Sequence, residues 1–139
     1  MHVISDALYF PPVNQSSFEG ILAVGGDLSP ERLLLAYKSG IFPWFNPGEP
    51  ILWWAPKSRM VLYFEDLTIS KSMRNVLNRN TFKVTFNQDF RAVISNCSTI
   101  KREGQRGTWI SQEMIEAYCK LNEMGIAKSV EVWQENQLV

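Results

Sequence analysis

Tryptophan is the residue type in this chain best suited to binding chemistry, and three of the five tryptophans lie close together between prolines. Trp44, Trp53 and Trp54 fall in the segment GIFPWFNPGEPILWW, residues 40–54. Indole rings on a proline-stiffened backbone can stack on nucleotide bases, and each stacked base contributes about 1–3 kcal/mol. Packing in the core is the alternative for any one of the three. We expect at least one to meet a ligand, because neighbours in an extended segment face different ways.

A fourth tryptophan, Trp109, stands in GTWIS, where a loop rich in basic residues leads into a predicted helix. The N-terminus of a helix attracts anions, and Lys101, Arg102 and Arg106 of the loop add positive charge. This combination would suit the phosphate and base of a nucleotide end. A core tryptophan beside solvated charges is the alternative.

Lys71 and Arg74 share one face of another predicted helix. Such a stripe could contact the phosphates of a nucleic acid, although a charged helix face is more often simply solvated. Glu131 lies on a predicted strand, on the same side as Trp133 by alternation. It could face a cleft or solvent, and solvent is the favoured interpretation.

Other kinds of site find little support in the sequence. The only histidine is His2, so a histidine-based triad or a histidine-rich metal centre is not expected. Cys97 and Cys119 are interpreted as free thiols in predicted helices, with a disulfide or metal pair as the alternative. The AVGGD stretch lacks a phosphate-loop pattern and is interpreted as a turn. No catalytic pair of carboxylates, cofactor site or metal site is predicted.

The composition indicates an ordinary globular domain. The chain has 139 residues, 45% of them hydrophobic, and 14 basic and 14 acidic residues that cancel. It is therefore not a general polycation, although a local basic patch remains open. The sequence shows no signal peptide and no apolar run long enough to span a membrane, so the cytoplasm is the expected location.

Several elements that would position these residues can be read from caps and periodicity. Ser29, Ser70 and Ser111 each suit the N-cap of a helix, and Asn87 is predicted to cap a fourth. The prolines at 43, 47, 50 and 56 argue against a helix and a central strand in the aromatic segment. Strands are predicted at 60–64, which we expect to be buried, at 82–86 and at 129–133, and after the turn at 134–137.

The order from residue 82 onward is thus β-α-α-β-β, in a chain of the α+β class. The last strand has barely begun at Val139, so we expect this to be the N-terminal portion of a longer protein.

Four blocks of sequence resemble the leucyl/phenylalanyl-tRNA–protein transferase family. They are ILAVGGDLSPERLLLAYKSGIFPWF, PILWWAPKSRMVL, GTWIS and SVEVWQENQLV, and they occur in the family's order. The resemblance implies transfer of Leu or Phe from Leu-tRNA or Phe-tRNA to the N-terminal Lys or Arg of an acceptor protein, which marks that protein for degradation. It implies no metal, no added cofactor and no membrane.

The resemblance also implies an architecture and site residues. A small N-terminal domain, 1–65, would precede the beginning of an acetyltransferase-like (GNAT) domain at 66–139. Trp44 and Trp109 would bind the terminal adenosine of the tRNA. Trp53 and Trp54 would support this adenosine pocket or form part of its wall. Phosphate contacts would come from Lys71, Arg74 and Arg106. The resemblance names no residue that holds the basic N-terminus of the acceptor peptide, and Glu131 is our candidate for that contact.

The chain departs from the family at Lys128, where members often carry His, and in its length. The Asp and Gln assigned to catalysis in the family have no match here, so we expect them after Val139. A non-catalytic module that binds the tRNA end, or an inactive fragment, is the alternative.

Overall fold

The computed structural model describes residues 1–100 and 108–139, which form an α+β arrangement with two sheets. The first sheet holds four short strands: β1 (His2–Ile4), β2 (Ile21–Gly25), β3 (Phe42–Pro43) and β4 (Leu52–Trp54). Their order is β1-β2-β4-β3, with β1 and β2 parallel and the other pairs antiparallel. The second sheet is β5 (Lys83–Phe86), β6 (Val130–Gln134) and β7 (Gln137–Leu138), all antiparallel.

Four α-helices occur in the described part of the chain: α1 (Pro30–Lys38), α2 (Lys71–Asn78), α3 (Phe90–Thr99) and α4 (Gln112–Glu123). The serine caps are confirmed. The hydroxyls of Ser29, Ser70 and Ser111 accept backbone N–H groups three residues on, at 3.4, 3.2 and 3.3 Å. The prediction for α3 was wrong by two residues, because Asp89 is the cap and accepts from the N–H of Ala92 at 3.0 Å. Asn87 instead accepts from the N–H of Ser129 at 3.0 Å.

The main core lies between the first sheet and two helices. Leu22 and Ala23 of β2 are buried with Leu33 and Ala36 of α1. Ala117 and Leu121 of α4 join the same cluster, so a helix far along the chain covers the N-terminal sheet. A division of the chain at residue 65 stays a prediction.

Two expectations about strands were wrong. The aromatic segment does contain a central strand, since β4 pairs with β2 on one side and β3 on the other. Its three residues fit between Pro50 and Pro56, while Pro43 lies on the edge strand, where a missing N–H costs no ladder bond.

The segment 60–64 is not a buried strand. Residues 60–63 are exposed and outside any strand, and a short 3-10 turn spans Phe64–Asp66. An apolar sequence becomes a strand only when another strand pairs with it, and none in the described ranges does so. Helix α2 is exposed along its whole length. No helix in the described parts of the chain has the length and apolar character needed to cross a membrane.

The AVGGD stretch is a turn that a buried arginine secures. Gly25 and Gly26 adopt φ of +98° and +71°, which favours glycine. Arg32 is 1% exposed, and its guanidinium donates to the carbonyl oxygens of Ser5 and Asp6 at 2.9 and 3.2 Å and to the Asp27 carboxylate at 3.3 Å. The hydrogen bond from Ser29, and after it the neighbouring Arg32, lower the pKa of Asp27. The interpretation of this motif as a turn into α1 is confirmed.

Candidate functional site

A tight turn shapes the hairpin that carries the aromatic segment. Pro47 and Gly48 occupy the centre of the turn between Asn46 and Glu49, and the N–H of Glu49 donates to the Asn46 carbonyl at 3.0 Å. Gly48 has φ of +83°, as the third position of a type II turn requires. The Glu49 carboxylate accepts from the Asn46 side-chain amide at 3.0 Å. The loop between β3 and β4 is therefore closed by its own hydrogen bonds.

Trp44 is the exposed tryptophan of this hairpin. Its side chain is 49% exposed, while its backbone is fixed at both polar atoms. The Trp44 N–H donates to the carbonyl of Leu52 at 2.9 Å, and the Trp44 carbonyl accepts the indole N–H of Trp54 at 2.7 Å. The centroids of the two indole rings lie 5.2 Å apart, and the ring planes are tilted by 48° to each other. The result is an indole surface that is open to solvent and held in place before any ligand arrives.

Trp53 faces the other way. Its side chain is completely buried, it packs edge-on against Phe10 with ring centroids 4.8 Å apart, and its indole N–H donates to the Gly25 carbonyl at 2.9 Å. A ring that is fully buried presents no face to a base in this arrangement, and a supporting role for Trp53 stays a prediction. Trp53 supports the sheet from the core side, whereas the half-buried Trp54 lies beside Trp44.

The remaining predicted binding residues lie on other elements. Trp109 is half-buried and comes just before α4, where the Ile110 N–H donates to the Thr108 hydroxyl at 3.1 Å. Lys71 and Arg74 are exposed on α2, one helical turn apart. Arg106 lies outside the described residues. Among the predicted binding residues, the structure thus places Trp44 in contact with Trp54. The roles of Trp109, Lys71 and Arg74 stay predictions.

Glu131 does not face solvent, contrary to expectation. Its side chain is completely buried beneath the second sheet. One carboxylate oxygen accepts from the Ser129 hydroxyl at 2.5 Å and from the N–H groups of Gln88 and Asp89 at 3.2 and 3.4 Å. The other accepts from the Thr85 hydroxyl at 2.7 Å. A carboxylate so enclosed is not open to an acceptor peptide, and it ties β6 to the turn before α3.

These donors lower the pKa of Glu131, the Ser129 hydroxyl most strongly, and burial opposes them. A carboxyl with a lowered pKa in the folded state stabilises the fold above its unfolded pKa, and that stability is lost as the pH falls through the folded value. We expect Glu131→Gln to destabilise the protein at pH 7, because the amide N–H₂ cannot accept from Thr85. The variant should also lose less stability than the parent between pH 6 and pH 3. Urea unfolding across that range measures both effects.

The exposed Glu113 supplies the matched control. Glu113→Gln should lower the stability at pH 7 by no more than about 1 kcal/mol, because this carboxylate is in water and acts only on the first turn of α4. An equal pH dependence in Glu131→Gln and the parent would show that the buried carboxylate does not titrate as proposed.

An apolar cavity of about 580 Å³ lies between α1, α3, α4 and the start of β6. Most of its lining is aliphatic or aromatic, and at one side the hydroxyls of Tyr37 and Tyr118 share a hydrogen bond. Burial raises the pKa of Tyr118 well above its usual range, and the bond to Tyr37 adds to this. An apolar cavity with a few convergent polar groups is the usual form of a small-molecule site.

The sequence alone does not indicate that this pair forms a site. Each tyrosine reads as one apolar position in a helical stripe, and no local signal connects residue 37 with residue 118. Both cysteines are free, as expected, and burial raises the pKa of Cys119. Within the described residues, no cluster of three or more His, Cys, Asp or Glu side chains could hold a metal ion.

Comparison with known families gives these features a context. Residues 61–139 match the model for leucyl/phenylalanyl-tRNA protein transferase, which is more than half of the chain. The chain belongs to this family. Residues 26–57, which include Trp44 and Trp54, match the model for the N-terminal domain of the same family.

Individual relatives of the chain carry the same family name. The chain is 68% identical to the leucyl/phenylalanyl-tRNA–protein transferase of Flavobacterium johnsoniae and 63% identical to that of Flavobacterium psychrophilum, in both cases over all 139 residues. It is 54% identical over 136 residues to the same transferase of Syntrophus aciditrophicus. The chain spans 66% of the length of each Flavobacterium relative and 57% of the third.

Proposed function

We propose that this chain provides the tRNA-end-binding part of an aminoacyltransferase. The whole reaction would move Leu or Phe from Leu-tRNA or Phe-tRNA to the N-terminal Lys or Arg of an acceptor protein and so mark that protein for degradation in the cytoplasm. The names of the relatives support the reaction class. Aminolysis of the ester needs an amine held against a carbonyl rather than a redox or metal centre. We assign no catalytic residue among those described.

The observation that carries the proposal is the exposed, backbone-fixed Trp44 within the stretch matched by the N-terminal domain model. A base that stacks on Trp44 meets a surface that loses little freedom on binding. In the proposal Trp109 is the second aromatic contact to the terminal adenosine. Lys71 and Arg74 contact phosphates, as does Arg106.

The element order of the second half supports a relation to the acetyltransferase-like fold. In the described residues, β5, α3, α4, β6 and β7 follow one another as β-α-α-β-β. We propose that this unit is the beginning of a GNAT-type domain.

The test is a fluorescence titration of this 139-residue protein with Phe-tRNA. We expect Trp44→Ala to weaken binding roughly tenfold, since a stacked base contributes about 1–3 kcal/mol, and Trp109→Ala to weaken it as well. Phe18→Ala is the control, because Phe18 is 99% exposed outside the aromatic segment. Wild-type affinity in both tryptophan variants would reject the stacking proposal.

The same titration at several salt concentrations tests the phosphate contacts. Affinity should fall with salt, and the slope should be shallower in a Lys71→Ala, Arg74→Ala double variant. An affinity that does not respond to salt would reject these contacts.

A transfer assay in the same tube separates the proposal from its alternative. Movement of labelled Phe to an Arg-starting peptide would show a complete catalytic site in this chain. Binding without transfer would favour a tRNA-end-binding module, which the exposed Trp44 surface also supports.

A further inference from the structure

Trp54 contacts Trp44 in two ways, through a hydrogen bond and through its ring. Its indole N–H donates to the Trp44 carbonyl at 2.7 Å, and its ring lies against the Trp44 ring at 5.2 Å. Trp54 itself has a fixed place, because β4 pairs with β2 and β3 and puts Trp54 opposite Ile21 and Phe42. The exposed ring is thus connected to a central strand through one side chain.

The register explains why this connection is possible. Trp54 pairs with Phe42, and the Trp44 N–H bonds to Leu52, so these side chains share the face of the sheet away from the buried Trp53. At the far end of this face the Arg59 guanidinium lies 5.8 Å from the Phe42 ring centre. Arg59 covers Phe42, which leaves Trp44 as the most open ring of the set.

We propose that Trp54 is a positioning residue, which holds the Trp44 ring at the angle needed to stack on the terminal base of the tRNA. The inference rests on the proposed function and adds a residue that does not itself touch the base. The backbone bond to Leu52 fixes one side of Trp44, and the Trp54 indole fixes the other. Without that indole N–H, the Trp44 peptide and ring gain freedom that binding must then remove.

The test is a double-mutant cycle with Trp54→Phe and Trp44→Ala in the 139-residue protein. Trp54→Phe keeps an aromatic ring and removes the N–H donor. Two probes are titrated: Phe-tRNA, and the same tRNA without its terminal adenosine. Thermal unfolding of each variant monitors the fold, and Trp54→Tyr replaces Trp54→Phe if the latter does not fold.

We expect Trp54→Phe to weaken binding of Phe-tRNA several-fold and to leave binding of the shortened tRNA unchanged. In the Trp44→Ala background the second substitution should have no further effect, because Trp54 acts through Trp44. A simple loss of stability would weaken both probes and would persist in that background, and this result would overturn the inference.

Two other outcomes are distinguishable. Wild-type binding by Trp54→Phe, together with weakened binding by Trp44→Ala, would overturn the positioning role and leave the proposed function intact. Wild-type binding by Trp44→Ala would overturn the positioning role, and wild-type binding by both Trp44→Ala and Trp109→Ala would overturn the proposed stacking as well.

Discussion

Trp53→Ala should lower the free energy of unfolding by about 3–5 kcal/mol, the range for large buried aromatic residues. Trp53 is fully buried on the central strand β4, packs against Phe10 and donates to the Gly25 carbonyl. Ladder bonds from β2 and β3 hold the backbone on both sides, so the space left by the indole cannot close easily. Urea unfolding followed by circular dichroism measures the loss without relying on tryptophan emission.

The matched control lies in the same hairpin. Trp44→Ala removes the same side chain from a site that is 49% exposed. This substitution should lower the free energy of unfolding by no more than about 1 kcal/mol, because much of the Trp44 ring is in water in the folded protein as well. Equal losses in the two variants would mean that the buried and exposed faces of the first sheet are assigned wrongly.

Gly25→Ala should be the second strongly destabilising change. A β-carbon at this position would lie 2.7 Å from the Ile4 carbonyl oxygen, which belongs to the paired strand β1. The φ of +98° adds strain of its own. The left-handed conformation costs about 1–2 kcal/mol and a forced close contact about 1–3 kcal/mol more. The expected loss is therefore about 2–5 kcal/mol by urea unfolding.

Gly48→Ala separates these two contributions. Gly48 also has a positive φ, +83°, but nothing lies within 4 Å of an added β-carbon. Only the conformational cost of about 1–2 kcal/mol should remain. If both alanine variants lose the same stability, the contact with Ile4 does not limit substitution at Gly25.

Features that depend on neighbouring residues could be predicted from the sequence. The serine caps of α1, α2 and α4 involve a side chain and a backbone group three residues apart, so a short window contains the whole interaction. The turn at Glu135 and Asn136, both with positive φ, is local in the same way. Alternation also placed Glu131 and Trp133 on one side of a strand.

Features that depend on distant partners could not be predicted. Alternation puts Trp53 and Trp54 on opposite faces, but only the packing of α1 and the first sheet decides which face is buried. The buried setting of Glu131 requires Thr85, which is 46 positions earlier in the sequence. The bond between Tyr37 and Tyr118 joins two helices 81 positions apart. The central place of β4 follows from pairing with β2, which no proline pattern reveals.

The place of α4 in the main core sets an order of events during synthesis. Leu22 is buried in a cluster that Leu121 helps to complete, and the first sheet ends at Trp54, about 67 residues before Leu121. At about 5–20 residues per second, that interval is on the order of 3–13 s. For that time α1 alone covers the nascent sheet, and the apolar surface that α4 will bury is open, which is the kind of surface that molecular chaperones bind.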